Sequence, residues 1–284
     1  MKVLLFLILS TAAALSAGER DPFMFSSNSI YFFEENIKDA PYEQQKVSAS
    51  KGDLTARIQF PLPCDMAGGV DFTYEGFNLD WNENPYFRQK HFESLGISAA
   101  LVYFGCEGWM WRGAFRVTGP TNEGSFYRYT QLQAFLWGKW CYNDCWDFHV
   151  GLIGRSGLEN EQVLPLIGAE YKMSCWTFSA VFPMKMGIEY RLNSLWSLNL
   201  LGAYFSERHQ VTNVEPSPNA IFRYRNIGAF FDVTYSNEDC HSLTLFVGKG
   251  FTSRLEIMDA GGRDIETIKI EAPWFIGTKA QVTF

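Results

Sequence analysis

The sequence predicts an all-β fold, a transmembrane up-and-down antiparallel β-barrel of about 12–14 strands. Apolar and polar residues alternate along most of the chain, which gives each predicted strand one apolar and one polar face. Short turns and longer loops follow one another in alternation, as in barrels whose turns lie at one rim and whose loops lie at the other. Aromatic residues make up 17% of the chain, which suits belts of rings at two membrane surfaces.

The composition excludes several other classes. Mean hydropathy is near zero, and beyond the first residues no stretch approaches 18 uninterrupted apolar positions, which argues against a helical membrane protein. The net charge is −7, which disfavours nucleic acid as a partner. No Gly-rich phosphate loop is present, and no close His or second Cys pair completes a zinc site. We therefore expect no cofactor and no metal.

The chain begins with the pattern of an export signal. Met1 and Lys2 precede an apolar run over 3–9 and a small-residue segment over 10–18. The apolar run is too short to span a bilayer as a helix. We predict a signal peptide over 1–17, and because no linker divides the rest, a single barrel domain over 18–284.

The alternation, taken in order along the chain, gives 14 candidate strands. The first strand and the short pair flanking Pro183 are the least regular, and because bacterial barrels have even strand numbers, 12 is the alternative. Near Gly76 the apolar phase shifts, which we interpret as a β-bulge. The candidates are 28–36, 53–62, 70–81, 95–103, 109–117, 132–140, 146–152, 163–173, 176–182, 188–192, 196–204, 227–233, 243–247 and 265–284.

The longer connections should face the outside of the cell. The clearest of them are 82–93, 207–219 and 252–264, and they are candidate contact regions for other molecules. The last strand places Trp274 and Ile276 on one face and Gln281 and Thr283 on the other. The chain then ends on an aromatic residue, Phe284.

This ending resembles the C-terminal strand of bacterial outer-membrane β-barrels. The resemblance implies that Phe284 is a membrane-insertion signal read by the barrel-insertion machinery, and that the protein is exported to the bacterial outer membrane. A second set of residues resembles an uncharacterised family of outer-membrane β-barrels, a domain of unknown function. That family brings no assigned activity. The residues concerned are Pro165, Gly168, Tyr171, Trp176, Pro183, Glu189, Tyr190, Arg191, Leu192 and Trp196.

The polar faces of the predicted strands should line the lumen, and they carry charges of both signs. In a narrow barrel such charges pair and close the interior, whereas in a wide one they line water and bias which solutes pass. The predicted lumen-lining residues are Arg57, Asp71, Glu75, Arg112, Arg116, Lys139, Asp147, His149, Glu170, Lys172, Glu189, Arg191, Asp232 and Lys279.

Three functions remain open at this stage. The first is a passive, porin-like channel for small solutes, and the second is a closed structural or adhesion barrel anchored to the envelope by disulfides. The third is an outer-membrane hydrolase, for which Asp147 and His149 share one strand face. Because no Gly-x-Ser-x-Gly motif is present, we predict that the protein is not an enzyme.

The six cysteines all lie in or beside predicted short turns, and therefore at the periplasmic rim. That compartment is oxidising, so disulfides are permitted. Cys141 and Cys145 flank one turn and could bond each other, or the thiols could bond cysteine-rich envelope proteins. Six cysteines allow 15 connectivities. They are Cys64, Cys106, Cys141, Cys145, Cys175 and Cys240.

Two arginines suggest a lipid partner. Arg223 and Arg225 share the apolar face of their strand with Ile227, near its loop end. Guanidinium groups suit the phosphates of outer-membrane lipid or lipopolysaccharide at that height. Simple solvation at the rim explains the same pattern.

Overall fold

The computed structural model describes residues 23–105, 108–121, 130–158, 161–183, 185–212, 215–237 and 241–284. This part of the chain contains no helix long and apolar enough to cross a membrane. Its strands are β1 (Phe23–Asn36), β2 (Lys46–Leu62), β3 (Met66–Trp81), β4 (His91–Phe104), β5 (Trp109–Pro120), β6 (Gln131–Cys141), β7 (Trp146–Ser156), β8 (Gln162–Met173), β9 (Trp176–Phe182), β10 (Lys185–Arg191), β11 (Trp196–Gln210), β12 (Ile221–Ser236), β13 (Ser242–Met258), β14 (Asp264–Ile270) and β15 (Trp274–Thr283).

The strands form one closed antiparallel sheet. Each strand pairs with the next from β1 to β13, and β15 pairs with both β13 and β1. β14 pairs with the loop end of β13 and β15 with its turn end, so these two strands share the last position and are separated at 271–273. The barrel therefore has 14 strands, which confirms the predicted fold class.

Both ends of the described chain and the short turns lie at one rim, which we call the turn rim. The backbone N–H of Phe284 donates to the carbonyl oxygen of Phe23 at 2.9 Å. Two turns at this rim use the same chemistry, since Asn143 and Asn193 each accept two backbone N–H groups through their Oδ1 atoms. The opposite rim, with the longer connections, is the loop rim.

A belt of apolar side chains covers the outside of the barrel. Successive strand residues point to opposite faces, so one residue in two can meet lipid while its neighbours face the interior. Tryptophans gather in this belt near the turn rim, where Trp109 stacks on Trp140 with ring centroids 5.9 Å apart. Exposed residues of the belt include Leu95, Ile97, Leu101, Phe148, Val150, Leu152, Val163, Ile167, Trp176, Trp196, Leu200 and Tyr204.

The polarity of the strands inverts towards the loop rim. On β3, Phe72 is exposed on the outside, whereas Phe77 is only 1% exposed and faces the interior. The pairing of β3 with β2 and β4 continues through Gly76 without a shift, so the predicted bulge is wrong. The apolar residues change face because the strand leaves the lipid, and in water the apolar face must turn inward.

The inward apolar faces of several strands meet in a core, which we call the loop-end core. Rings from strands that are not neighbours in the sheet pack together there, with Phe32 and Phe205 4.8 Å apart and Phe92 and Phe222 4.7 Å apart between centroids. β1–β3 and β11–β14 thus pack across the barrel and fill one side of its loop half. Fully buried members are Phe32, Ile37, Phe77, Leu79, Phe87, Phe222, Tyr224, Leu255, Ile257, Ile268 and Phe275.

This core explains two errors in the predicted connections. The loop predicted at 207–219 begins only after Gln210, and the loop predicted at 252–264 begins only after Met258. Both strands continue beyond the membrane because their inner faces bury apolar residues in the loop-end core. The short pair flanking Pro183 has the predicted form, with seven residues in each strand. The predicted signal peptide, 1–17, lies outside the described residues.

Candidate functional site

Four charged side chains form a network across the barrel interior. Lys51 on β2 pairs with Glu207 on β11 at 3.0 Å, although these strands are not neighbours in the sheet. Arg116 on β5 pairs with Glu75 on β3, reaching past β4. Two cations and two anions therefore meet at the middle of the lumen, and the Lys51–Glu207 ion pair connects its opposite walls.

A second group lies nearer the turn rim. The Arg57 guanidinium donates to both carboxylate oxygens of Asp71, at 2.6 and 2.9 Å. Ser98 donates to the same carboxylate at 3.0 Å. Arg112 lies over the ring of Phe135, 5.5 Å from its centroid. This part of the wall joins β2 to β6 through side chains that face the lumen.

The third group surrounds Asp147, whose side chain is 1% exposed. Lys139 and Lys172 approach its Oδ2 atom at 2.7 and 2.8 Å. These three residues lie on the neighbouring strands β6, β7 and β8. Two cations thus hold one buried carboxylate and leave a positive charge on this wall of the lumen.

His149 is held by partners that do not prepare it for catalysis. Its Nδ1 atom accepts a hydrogen bond from the Trp137 indole at 3.0 Å, and its Nε2 atom lies 3.6 Å from Glu170. Ser179 donates to Glu170 at 3.0 Å. A serine hydrolase needs the hydroxyl on the histidine, whereas here the hydroxyl bonds the carboxylate. These side chains pack against one another and fill the lumen beside β7.

The remaining predicted lumen residues lie apart from these groups. Asp232 accepts a hydrogen bond from Asn199 at 2.7 Å. Lys279 lies over two aromatic rings near the turn rim. Arg191 is exposed at that rim, 3.7 Å from Glu189. None of these four residues, Glu189 included, belongs to the network that crosses the lumen.

A cavity of about 640 Å³ occupies the other side of the loop half, beside the loop-end core. Its walls come from the loop ends of β2–β8 on one side and from β11 and β12 on the other. Lys51, Glu75 and Glu207 of the lumen network also line it. A volume of this size accommodates a small organic solute.

Arginines dominate the wall of the cavity formed by β11 and β12. Arg223 and Arg225 share one carboxylate, Glu256, which Arg225 approaches at 3.2 Å. Arg208 lines the same wall, and Arg155 faces it from β7. Arg223 and Arg225 lie on the same face of β12 as Ile227. That face is directed towards the cavity because β12 packs its other face into the loop-end core.

The described cysteines lie at the turn rim as free, exposed thiols. The suggested Cys141–Cys145 disulfide is not formed in the structure, where Asn143 caps the turn between them. Cys106 and Cys240 lie outside the described residues. Among the residues that are described, no group of three or more His, Cys, Asp or Glu could hold a metal ion. The free thiols are Cys64, Cys141, Cys145 and Cys175.

Phe284 lies beside the seam that closes the barrel. Its side chain is exposed, and its ring packs edge-on against Phe25 of β1, with centroids 6.0 Å apart.

Sequence reasoning missed Lys51, Glu207 and His209, whose Nε2 atom lies 3.7 Å from Glu207 in the cavity wall. Lys51 precedes the predicted strand, and Glu207 and His209 fall within a predicted loop. A signal was present, since Glu207 and His209 continue the alternation of Ala203 and Phe205. The charges at 207 and 208 concealed it, because they resemble the start of a solvated connection.

Comparisons with known proteins agree with this fold. No protein-family model matches the chain. An uncharacterised protein of Chlamydia muridarum is 23% identical over 282 residues, covering 92% of this chain and 87% of the relative. An uncharacterised protein of Chlamydia trachomatis serovar D is 20% identical over 281 residues, with the same coverage. The crystal structure of an outer-membrane channel from Pseudomonas putida F1 is similar with a TM-score of 0.53 at 10% identity, covering 94% of this chain and 97% of the other.

At such identities the structural likeness concerns the fold alone. It agrees with the closed antiparallel β-barrel fold described above. Together with the two uncharacterised relatives, it agrees with the resemblance to an uncharacterised family of such barrels.

Proposed function

We propose that the protein is a passive, porin-like channel for small solutes. The observation that carries the proposal is the polar cavity of about 640 Å³ in the loop half, lined in part by the same charged residues that cross the lumen. Solute entering at the loop rim would meet Lys51, Glu75, Arg116 and Glu207, and then the groups around Asp71 and Asp147. Paired charges of both signs along a water path favour small polar solutes over apolar ones.

Single-channel conductance in planar bilayers tests this proposal. We expect stable conductance steps from the refolded protein. The double variant K51M/E207Q, which removes the ion pair across the lumen, should increase the step size. R263Q is the matched control, because Arg263 is exposed in the connection between β13 and β14. Inserted, folded protein that gives no conductance steps overturns the proposal.

A second candidate is a closed structural or adhesion barrel tied to the envelope through disulfides. The observation in its favour is the set of exposed free thiols at the turn rim. In the oxidising periplasm, thiols of neighbouring proteins can be converted to disulfides, and cysteine-rich envelope proteins are the partners proposed here. Electrophoresis of whole envelopes with and without reductant tests it. Slow-migrating species that reductant removes support this candidate, and a monomer in both lanes excludes it.

A further inference from the structure

The wall of the barrel has a gap towards the loop rim. β9 and β10 have only seven residues each, whereas a strand needs about 9–11 residues to cross a bilayer. Their neighbours are longer, since β8 continues by five residues beyond its pairing with β9, over 162–166. β11 continues beyond its pairing with β10 over 202–210. We call the space between these two strand ends the notch.

The notch lies within the height of the apolar belt. On β8 the belt reaches Val163, which is 71% exposed, and on β11 it reaches Tyr204. Val163 lies four positions nearer the loop rim than Ile167, which pairs with the end of β9, and Tyr204 lies three positions beyond Leu201, the last residue of β11 that pairs with β10. The flanks of the notch that face outward are apolar and exposed, and they include Ile167, Phe182 and Met186. Acyl chains of the outer leaflet therefore reach the notch.

The edges of the notch carry backbone N–H and C=O groups, with which lipid chains cannot form hydrogen bonds. In the described part of the chain, no strand pairs with 162–166 on the β9 side or with 202–210 on the β10 side. Unpaired backbone groups at membrane depth are tolerated only where protein, water or a polar ligand satisfies them. Gln131 supplies one such bond, donating to the carbonyl oxygen of Arg208 at 3.2 Å. The remaining edge needs polar atoms from elsewhere.

The cavity behind the notch supplies an excess of positive charge. Both strand ends line it, through Gln162 on β8 and Tyr204 on β11. Arg223 and Arg225 have one carboxylate between them. Arg155 is exposed on the lumen face and makes no ion pair with any described residue.

The acidic residues of the cavity do not cancel this charge. Glu75 and Glu207 are already paired with Arg116 and Lys51. Glu93 and Glu161 also line the cavity, and both are exposed at its margins. The arginines of β11 and β12, together with Arg155 on the opposite wall, therefore give the cavity behind the notch an excess of positive charge.

We propose that the notch is a lateral binding site for a phosphorylated amphiphile of the outer leaflet. The phosphate enters the cavity and is bound by Arg155, Arg223 and Arg225, whose planar guanidinium groups match its oxygens. The acyl chain stays outside, against Val163, Ile167 and Met186. The head group and its bound water form hydrogen bonds with backbone groups of 162–166 and 202–207 that face the notch. This site goes beyond the proposed channel and does not depend on conductance.

Equilibrium binding to the refolded full chain in detergent tests the proposal, with oleoyl lysophosphatidate as the probe. Inorganic phosphate carries the head group alone, and oleyl alcohol carries the chain alone. We expect saturable binding of the lysophosphatidate, with both comparison compounds at least about tenfold weaker. Equal binding of phosphate shows that the site takes the free anion from water, and equal binding of oleyl alcohol shows that charge is irrelevant. Either result, or the absence of saturable binding, overturns the proposal.

Variants locate the site. R155Q, and separately R223Q/R225Q/E256Q, should each weaken lysophosphatidate binding by about tenfold or more, because charged hydrogen bonds are lost. Substituting Glu256 together with its partners avoids leaving a buried carboxylate alone. R263Q is again the matched control.

Lengthening the β9–β10 hairpin by four residues should close the notch and abolish binding in folded protein. Unchanged binding in R155Q and in the lengthened hairpin contradicts the assignment. Because the readout is binding, a failed channel proposal leaves this result intact.

Discussion

The two sides of the loop half differ in what fills the interior of the barrel. On one side β1–β3 and β11–β14 extend beyond the lipid, turn their apolar residues inward and pack them into the loop-end core. On the other side β5–β8 and the short β9–β10 hairpin do not extend into this core, and they leave a cavity with a polar lining. Strand length separates the two, because only strands that continue past the membrane can bring apolar faces together across the barrel. The core side stabilises the fold, and the cavity side is available for ligands.

The largest expected effect is on the core side. Phe222 is 0% exposed and contacts Phe77, Phe87 and Phe92. F222A should lower the free energy of unfolding by about 3–5 kcal/mol, because the lost contacts leave a cavity. Urea unfolding from lipid vesicles, followed by tryptophan fluorescence, measures this. F251A is the control, since Phe251 is 67% exposed, and it should cost less than about 1 kcal/mol. Equal losses would mean that the loop-end core contributes no more than the lipid face.

The next effect lies at the boundary between the two sides. Lys51 and Glu207 are each 16% exposed and join the opposite walls. K51M should cost about 2–3 kcal/mol, because Glu207 loses its partner in a largely buried position. The double variant K51M/E207Q should recover part of this loss. A double-mutant cycle on unfolding free energies gives the coupling, and a coupling of zero would contradict a bridge between the walls.

A smaller effect is expected on the cavity side. Gln131 donates to the backbone of β11 across the cavity. Q131A should lower the free energy of unfolding by about 1 kcal/mol, the value of one hydrogen bond. Q133A, two residues along the same face, serves as the control and should change little. If both variants behave alike, the contact between β6 and β11 does not hold the cavity in shape.

The smallest effect is a loss of protection of the segment 37–45, which lies against the loop-end core, at high pH. Burial, together with the Glu266 carboxylate that accepts its hydrogen bond at 3.3 Å, raises the pKa of Tyr42. Its contribution to stability is therefore complete below the ordinary tyrosine value of about 10 and is lost as pH rises through the raised value. Proteolysis of the segment 37–45 should accelerate in that range. In Y42F the pH dependence should disappear, and its persistence would assign the effect to another group.

The membrane part of the barrel was easier to predict from the sequence than the loop half. The membrane part of the fold followed from alternation, since lipid outside and polar groups inside impose one phase on every strand. The phase change at Gly76 was visible, but a bulge and an inversion of polarity produce the same pattern. Only the burial of Phe77 and the unbroken pairing of β3 distinguish them. The residues of the lumen face could be named individually, whereas the Lys51–Glu207 pair depends on which distant strands meet, and one sequence does not specify that.

The break between β14 and β15 separates the strand that closes the barrel from the strand that pairs only at the loop end. Of these two strands, β15 is the one that pairs with β1 and closes the barrel. β14 pairs with the loop end of β13, and the carbonyl oxygen of its Lys269 accepts a hydrogen bond from the backbone N–H of Lys38 at 2.9 Å. The connection at 259–263 therefore belongs to the outer attachment and not to closure. An epitope inserted between Ala260 and Arg263 should be displayed at the cell surface on a barrel that still seals, which makes this tip a convenient handle for labelling living cells.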